Sequence, residues 1–269
     1  MNDVFRFKIA IQTMKDYWKI TIIVSLLFMV MAAMYAGMFP QFEESLLEMM
    51  ESGFGDSFNY FPHADQMATY IGFLTIELYA IFWLLILAII LGFISASSIT
   101  KEIEGKTIDL LMSNPVSRKQ IVFEKFIGLI PMVLIVNFAT MIAVIGITAA
   151  INESLNLGYL LLVHLISIPY FLAVISIGIL ISTFLDEKMK ASITMIAILV
   201  GMYILYSMSL MSSGNEFLGY ISINKYFDPF DVLKYGDVDI GGVFVYIIII
   251  TVCLILSMLY FEHRDIEVT

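Results

Sequence analysis

Six long apolar stretches constrain this chain more than any other feature of its sequence. They cover residues 20–39, 70–97, 121–150, 158–185, 189–211 and 241–261. A helix needs about 20 apolar residues to cross the hydrocarbon core of a bilayer, where every backbone polar group must be satisfied internally. Charged residues make up only 14% of the chain, whereas soluble domains are about one quarter charged. The sequence therefore predicts an all-α membrane protein with six transmembrane helices in a single domain over residues 1–269.

The distribution of Lys and Arg predicts the orientation of these helices. All but two of the 14 Lys and Arg residues lie before the first span, between the second and third, between the fourth and fifth, after the sixth, or, for Lys125 and Lys190, within the first five residues of the third and fifth spans. The other two, Lys225 and Lys234, precede the last span. Because cytoplasmic segments carry an excess of basic residues, we expect both termini in the cytoplasm of a cell (plasma) membrane protein.

Three segments outside the spans are not simple connections. Residues 1–19 separate apolar and basic faces, which predicts a cytoplasmic interfacial helix. Residues 42–51 alternate acids with apolar residues, which predicts a short amphipathic helix on the outer surface. Residues 212–240 are rich in aromatics, and we expect them to form outer re-entrant or interfacial helices.

The sequence argues against a catalytic, metal-binding or nucleotide-binding chain. Its three histidines are dispersed, and a zinc site needs clustered ligands. The string from Gly105 to Thr107 resembles the end of a phosphate-binding loop, but position 100, which should be glycine, is Thr100. We therefore expect no cofactor and no enzymatic activity in this chain. Its net charge of −10 also argues against nucleic acid as a partner.

Two polar residues within the spans are candidates for a transport path. Glu77 lies near the outer end of the second span, where an intramembrane carboxylate is either functional or extends to the nearby interface. Asn137 lies in the middle of the third span, where it either bonds another helix or contacts a substrate. The outer loops are acidic, so an alternative function is a stand-alone ion channel or carrier that uses Glu77 and an acidic outer vestibule.

A polar stretch, residues 98–125, separates the second and third spans. Glu102 and Lys106 have the spacing of an i,i+4 helical ion pair. Pro115 ends that helix, since the residue before a proline is disfavoured in the α conformation. Ser117 is then placed to cap the next helix. The stretch therefore predicts a helix, a turn and a second helix start at the cytoplasmic surface.

This stretch resembles the ABC-2-type permeases, the membrane subunits of ATP-driven transporters. Members carry a cytoplasmic string of the form E-x-E-x-G-T-L-E-x-L-L-x-x-P-V-S-R between their second and third spans. The positions that match are Glu102, Glu104, Thr107, Asp109, Leu111, Pro115, Val116, Ser117 and Arg118. The family more often has glycine directly before the threonine, whereas this chain has Gly105 and then Lys106. Residues 224–236 and 261–266 resemble two further family segments.

The resemblance implies a permease that forms a dimer with a second copy or a paralogue in the membrane lipid. Two separate ABC ATPase subunits would bind ATP and Mg²⁺, and an extracytoplasmic accessory protein is a further candidate partner. Residues 98–120 would be a coupling segment seated in a groove of each ATPase, and export is the expected direction of transport. The implied coupling residues are Glu102, Glu104, Gly105, Thr107, Asp109, Leu111, Pro115 and Arg118.

Overall fold

A computed structural model of the protein describes residues 7–51, 63–107, 116–211 and 213–264. The helices are α1 (Lys8–Glu51), α2 (Tyr70–Glu104), α3 (Arg118–Ala150), α4 (Leu157–Phe184), α5 (Lys188–Met211), α6 (Pro229–Tyr235) and α7 (Ile240–His263). Across these four ranges there is no strand, and six helices, all but α6, are long and apolar enough to cross a membrane. The prediction of an all-α, six-span membrane protein is confirmed.

The first helix is longer than the sequence predicts. We expected an interfacial helix, a span and an outer amphipathic helix, whereas α1 is one continuous helix of 44 residues that includes Pro40. Strong helix formers, mainly Leu, Met and Glu, follow this proline and continue the helix. At 1.5 Å per residue, α1 is about 66 Å long. It therefore extends well beyond a hydrocarbon core of about 30 Å.

The second span changes its winding along its length. It is α-helical over Tyr70–Leu74, π-helical over Thr75–Leu87 and α-helical again over Ala88–Ala96. A break follows, and Thr100–Glu104 forms a last short turn of helix. Stretches of π-helix are rare and occur frequently at functional sites.

A serine from α4 accepts hydrogen bonds from the backbone amides at the break in α2. The hydroxyl oxygen of Ser182 accepts hydrogen bonds from the backbone amides of Ile99 at 2.8 Å and Thr100 at 3.1 Å. Gly178 of α4 lies so close to α2 that a Cβ there would be 2.0 Å from the Ser95 hydroxyl. This close approach fixes the end of α2 against α4.

The fourth helix is the centre of the bundle. It packs against α2, α3, α5 and α7, and α1 packs mainly on α3. Helix α5 has the smallest buried share of the six long helices. We call the end where α1, α3 and α5 begin the basal end, and the opposite end the distal end. The N-terminal end of α1 and the C-terminal end of α7 both lie at the basal end.

Short helices cover the distal end between α5 and α7. Asp228 caps α6 by accepting a hydrogen bond from the amide of Phe230 at 2.9 Å, and Gly236, at φ 70°, ends it in the left-handed conformation. The Tyr246 hydroxyl of α7 donates to the carbonyl of Ile223 at 2.8 Å. Whether this distal segment, residues 213–239, is re-entrant or interfacial stays a prediction.

Candidate functional site

The first two turns of α3, residues 118–125, contact several helices and are called the α3 base. As predicted, Ser117 caps this helix, since its hydroxyl accepts from the amide of Gln120 at 3.2 Å. The polar and charged side chains of the α3 base point to α1, α2 and α7. The geometry of these contacts defines the candidate functional site.

A buried ion pair joins the α3 base to α2. Lys125 is only 3% exposed, and its ammonium lies 2.9 Å from the Glu102 carboxylate. The second oxygen of that carboxylate accepts from the Thr107 hydroxyl at 2.6 Å. Glu102, a predicted coupling residue, therefore binds both Lys125 and Thr107, a second predicted coupling residue, within the protein. Removing one partner of a buried pair leaves an uncompensated charge, which is strongly destabilising.

Lys101 extends this cluster to α1. Its ammonium lies 3.6 Å from the Asp16 carboxylate and 4.6 Å from the centre of the Tyr17 ring. A cation over an aromatic face is attracted by the ring quadrupole. The end of α2 is thus held on both sides, by α1 and by α3.

A buried carboxylate on α3 caps the start of α1. Glu124 is 2% exposed and accepts hydrogen bonds from the amides of Ile9 at 2.8 Å and Ala10 at 3.2 Å. The Gln120 side chain donates to it at 2.6 Å. A negative charge at a helix N-terminus is favoured by the unpaired amides and the helix dipole. The sequence analysis did not select Glu124; its only signal is a carboxylate within the first turns of an apolar span.

The predicted coupling residue Arg118 contacts the end of α7. Its guanidinium donates to the carbonyl of Phe261 at 3.2 Å and to the carbonyl of Arg264. Arg264 in turn donates to the carbonyl of Thr183 and pairs with Asp186 after α4. The coupling string and the C-terminal segment, two separate parts of the family resemblance, therefore meet at one point at the basal end.

The remaining described coupling residues lie at the surface. The Glu104 carboxylate accepts from the amide of Lys188 at 2.8 Å, which satisfies a free amide at the start of α5. Gly105 and Lys106 are exposed. Lys106 has φ 52°, the left-handed conformation, at the position where the family more often has glycine. The predicted residues Asp109, Leu111 and Pro115 lie outside the described residues.

The candidate transport-path residue Asn137 belongs to a buried polar network. Its amide nitrogen donates to Ser167 at 2.7 Å, and its oxygen lies 2.7 Å from Nδ1 of His164. Nε2 of His164 lies 3.0 Å from the Tyr79 hydroxyl. The network joins α3, α4 and α2, so Asn137 makes interhelical hydrogen bonds, the first of the two roles considered for it.

The other transport-path candidate, Glu77, lies in the π-helical part of α2 and is partly exposed. The same part of α2 lines a cavity of about 250 Å³ with α5 and the distal segment, but Glu77 is not one of its lining residues. Among the described residues, Glu77 makes no hydrogen bond to the polar network that contains Asn137. We call this space the distal cavity.

A histidine and an aspartate lie beside the distal cavity. Nε2 of His63 is 2.9 Å from the Asp228 carboxylate, and the imidazole stacks on Phe230 at 4.0 Å. The hydrogen bond to Asp228 raises the pKa of His63 above its usual value, against the opposing effect of burial. Burial and then the charge of Asp228 raise the pKa of Asp231. The contact between His63 and Asp228 joins the residues that precede α2 to the start of α6.

Among the described residues, no group of three or more His, Cys, Asp or Glu side chains could hold a metal ion. A family model described as "ABC-2 family transporter protein" matches residues 11–266, nearly the whole chain. No curated protein matches the chain.

Proposed function

Because the chain belongs to the ABC-2 family of transporter proteins, we propose that it is a permease subunit that moves a substrate by using ATP hydrolysis in a separate ATPase subunit. The family supports a multi-pass membrane subunit of an ABC transporter. Export, the plasma membrane and the cytoplasmic position of the basal end are parts of the proposal. The basic residues of the basal end support that orientation.

The proposed docking site for the ATPase is the coupling segment, residues 98–120. Glu104, Gly105 and Lys106 offer it an exposed surface with both signs of charge. The ATPase would not contact the side chains of Glu102, Thr107 and Arg118, because each is already bonded within the protein. These side chains would instead hold the exposed surface in position. ATP and Mg²⁺ would bind to the ATPase partner.

The single observation that carries this proposal is the buried pair between Glu102 and Lys125. A docking segment attached to the spans by flexible chain would move with the ATPase without moving the transmembrane helices. Here the end of α2 is bonded to α3, and α3 is bonded to α1 through Glu124 and to α7 through Arg118. Movement at the segment would therefore be transmitted as a rigid-body shift of several helices.

We further propose that a second copy or a paralogue completes the transporter. Helix α5 is the least buried of the long helices and exposes large apolar residues, including Ile193, Ile204 and Met208. Such a face can contact either lipid or another protomer. An extracytoplasmic accessory protein stays a further candidate partner at the distal end.

Co-purification with a separately encoded ABC ATPase subunit tests the proposal. Glu104→Lys together with Lys106→Glu should lower ATPase capture at least about tenfold, which corresponds to about 1.4 kcal/mol. Glu104→Gln should preserve capture, since it keeps an oxygen for the Lys188 amide. Glu43→Lys, an exposed charge reversal at the distal end of α1, is the matched control. Capture that is absent in the native chain, or unaffected by the double reversal, would contradict the proposal.

The alternative is a stand-alone ion channel or carrier that uses Glu77. It predicts cation flux through the reconstituted chain without ATP or a partner, and loss of that flux in Glu77→Gln. The permease proposal predicts no such flux. The partly exposed position of Glu77, away from the distal cavity, gives the alternative no described pathway.

A further inference from the structure

Polar contacts at the basal end form a closed ring of helix ends. The α3 base contacts the end of α2 through Lys125 and the end of α7 through Arg118. Arg264, which follows α7, contacts the turn between α4 and α5. The ring closes because the Glu104 carboxylate, at the end of α2, accepts from the amide of Lys188 at the start of α5. Each of these helix ends is therefore held from two sides.

Arg264 is the member of this ring that joins α7 to α4. Only 9% of its side chain is exposed. The guanidinium donates to the carbonyl of Thr183 and to that of Leu185 at 3.4 Å, and it pairs with the Asp186 carboxylate. Thr183 lies in the last turn of α4, where the carbonyls have no partner within the helix. One side chain thus caps α4 and fixes the first residues of the turn that follows it.

Arg118 caps the end of α7 in the same way. Its guanidinium donates to the carbonyls of Phe261 and Arg264 and lies 5.8 Å from the centre of the Phe261 ring. An arginine presents five donors in a planar fork, so one side chain can bond several carbonyls in a fixed geometry. The α3 base therefore holds the backbone of Arg264, and the side chain of Arg264 holds the turn between α4 and α5.

The turn between α4 and α5, residues 185–187, lies beside the coupling segment. The 2.8 Å hydrogen bond between Glu104 and the Lys188 amide is exposed to water. Exposed polar contacts are weak, because water competes for both groups. Arg264 restrains the turn from the other side, and α4 packs against α2, α3, α5 and α7. With the turn held from both sides, a movement of the coupling segment is passed to α4, the centre of the bundle.

We propose that Arg264 is a positioning residue for coupling. It holds the turn between α4 and α5 against the coupling segment, so that the basal ends of α4, α5 and α7 move with that segment. The inference rests on the proposed function, because it needs an ATPase that moves residues 98–107. It adds three helix ends to the body that the coupling segment forms with α1 and α3.

Spin labels at positions 19 and 187 of one copy in the complex with its ATPase test the proposal. Pulsed electron paramagnetic resonance compares the nucleotide-free and ATP-trapped complexes, in a Cys253→Ser background. In the native chain the distance should change by less than about 2 Å, and in Arg264→Gln by more. A second pair, at positions 19 and 106, should stay within about 2 Å in both, since the pair between Lys125 and Glu102 is intact. A general loss of packing would change both distances alike.

The matched control is Lys119→Gln, which removes an exposed ion pair with Glu262 that also joins α3 to α7 and should leave both distances unchanged. If Arg264→Gln does not fold, Asp186→Asn, at an exposed position, should change the distance between positions 19 and 187 in the same direction by less.

The same pair, at positions 19 and 187, is also measured in the chain alone in lipid nanodiscs, where Arg264→Gln should broaden the distance distribution. A native chain that captures no ATPase would contradict the proposed function. Capture by the native chain, with Arg264→Gln and Asp186→Asn both behaving like it or like Lys119→Gln, would overturn only the role of Arg264.

Discussion

The basal and distal ends of this protein are held together by different interactions. At the basal end, charged side chains of the α3 base pair with the ends of α1, α2 and α7. At the distal end, aromatic packing and the contact between His63 and Asp228 lie beside a cavity lined mainly by apolar side chains. Buried charge pairs tolerate little displacement, because a small separation leaves each charge unsatisfied. The comparison indicates a basal end held by buried charges and a distal end that encloses a cavity.

The largest expected effect is the loss of the buried charge pair. Lys125→Ala should destabilise the protein by up to about 3–5 kcal/mol, because it removes the nearer counter-charge of the Glu102 carboxylate, which is 18% exposed, and leaves Lys101 at 4.0 Å. Thermal unfolding in detergent measures it. Lys119→Ala removes a cation from an exposed pair with Glu262 and should cost at most about 1 kcal/mol. Equal effects of the two variants would show that the basal end is not held by its buried pair.

The same experiment can be made sharper with a second variant. Lys125→Met combined with Glu102→Gln removes both charges at similar volume and should recover most of the lost stability. A double variant as unstable as Lys125→Ala would point to packing, not charge, as the source of the effect.

A smaller loss of stability is expected when the neutral hydrogen-bond network around Asn137 is disrupted. Asn137→Leu should cost about 1–2 kcal/mol, since interhelical hydrogen bonds in membranes contribute about this much. It removes the bonds to His164 and Ser167 but leaves no buried charge. Thermal unfolding of Asn137→Leu and of Lys125→Ala, measured under the same conditions, checks which variant loses more stability. A cost above that of Lys125→Ala would reverse the comparison between the two regions.

A stabilising change is expected at Lys106. Its left-handed backbone costs a residue with a side chain about 1 kcal/mol relative to glycine, so Lys106→Gly should raise stability by up to that amount. Gly105→Ala, one residue earlier, should be destabilising, because its Cβ would lie 2.9 Å from the Lys101 carbonyl. Thermal unfolding that gives both variants the same sign would contradict the turn geometry described for this segment.

The smallest effect is a pH dependence confined to the distal end. The pKa of His63 is raised in the folded protein, so the contribution of its pair with Asp228 is fully present below the usual histidine pKa, about 6.5. It is lost as the pH rises through the raised pKa. Hydrogen exchange in residues 229–235 should therefore become faster from pH 6 to pH 8 in the native chain, after correction for intrinsic rates. His63→Gln should remove this dependence, and an unchanged pH profile in that variant would exclude His63 as its cause.

Sequence reasoning identified the six spans, because span length and apolar composition are set directly by the bilayer. It also identified Ser117 as a helix cap, whereas the coupling role of Arg118 stays a prediction. It missed Glu124 and the pairing of Glu102 with Lys125, because these contacts join residues that are far apart in the chain or on opposite sides of a turn. The continuous helix α1 was not predicted, because the changes from polar to apolar sequence and back suggested three separate segments, whereas helical backbone hydrogen bonding continues through such changes. The π-helical winding of α2 has no local pattern that would predict it.

The central claim is that residues 98–107 and the basal parts of α1 and α3 move as one body. Pulsed electron paramagnetic resonance can test it in the assembled complex with its ATPase, with spin labels on cysteines at positions 106 and 19 of a single copy per complex. A second pair, at positions 106 and 217, spans the two ends, and all four measurements compare the nucleotide-free and ATP-trapped complexes. The account predicts that the distance between positions 106 and 19 changes by less than about 2 Å while the distance between positions 106 and 217 changes by more. A larger change between positions 106 and 19 would contradict it.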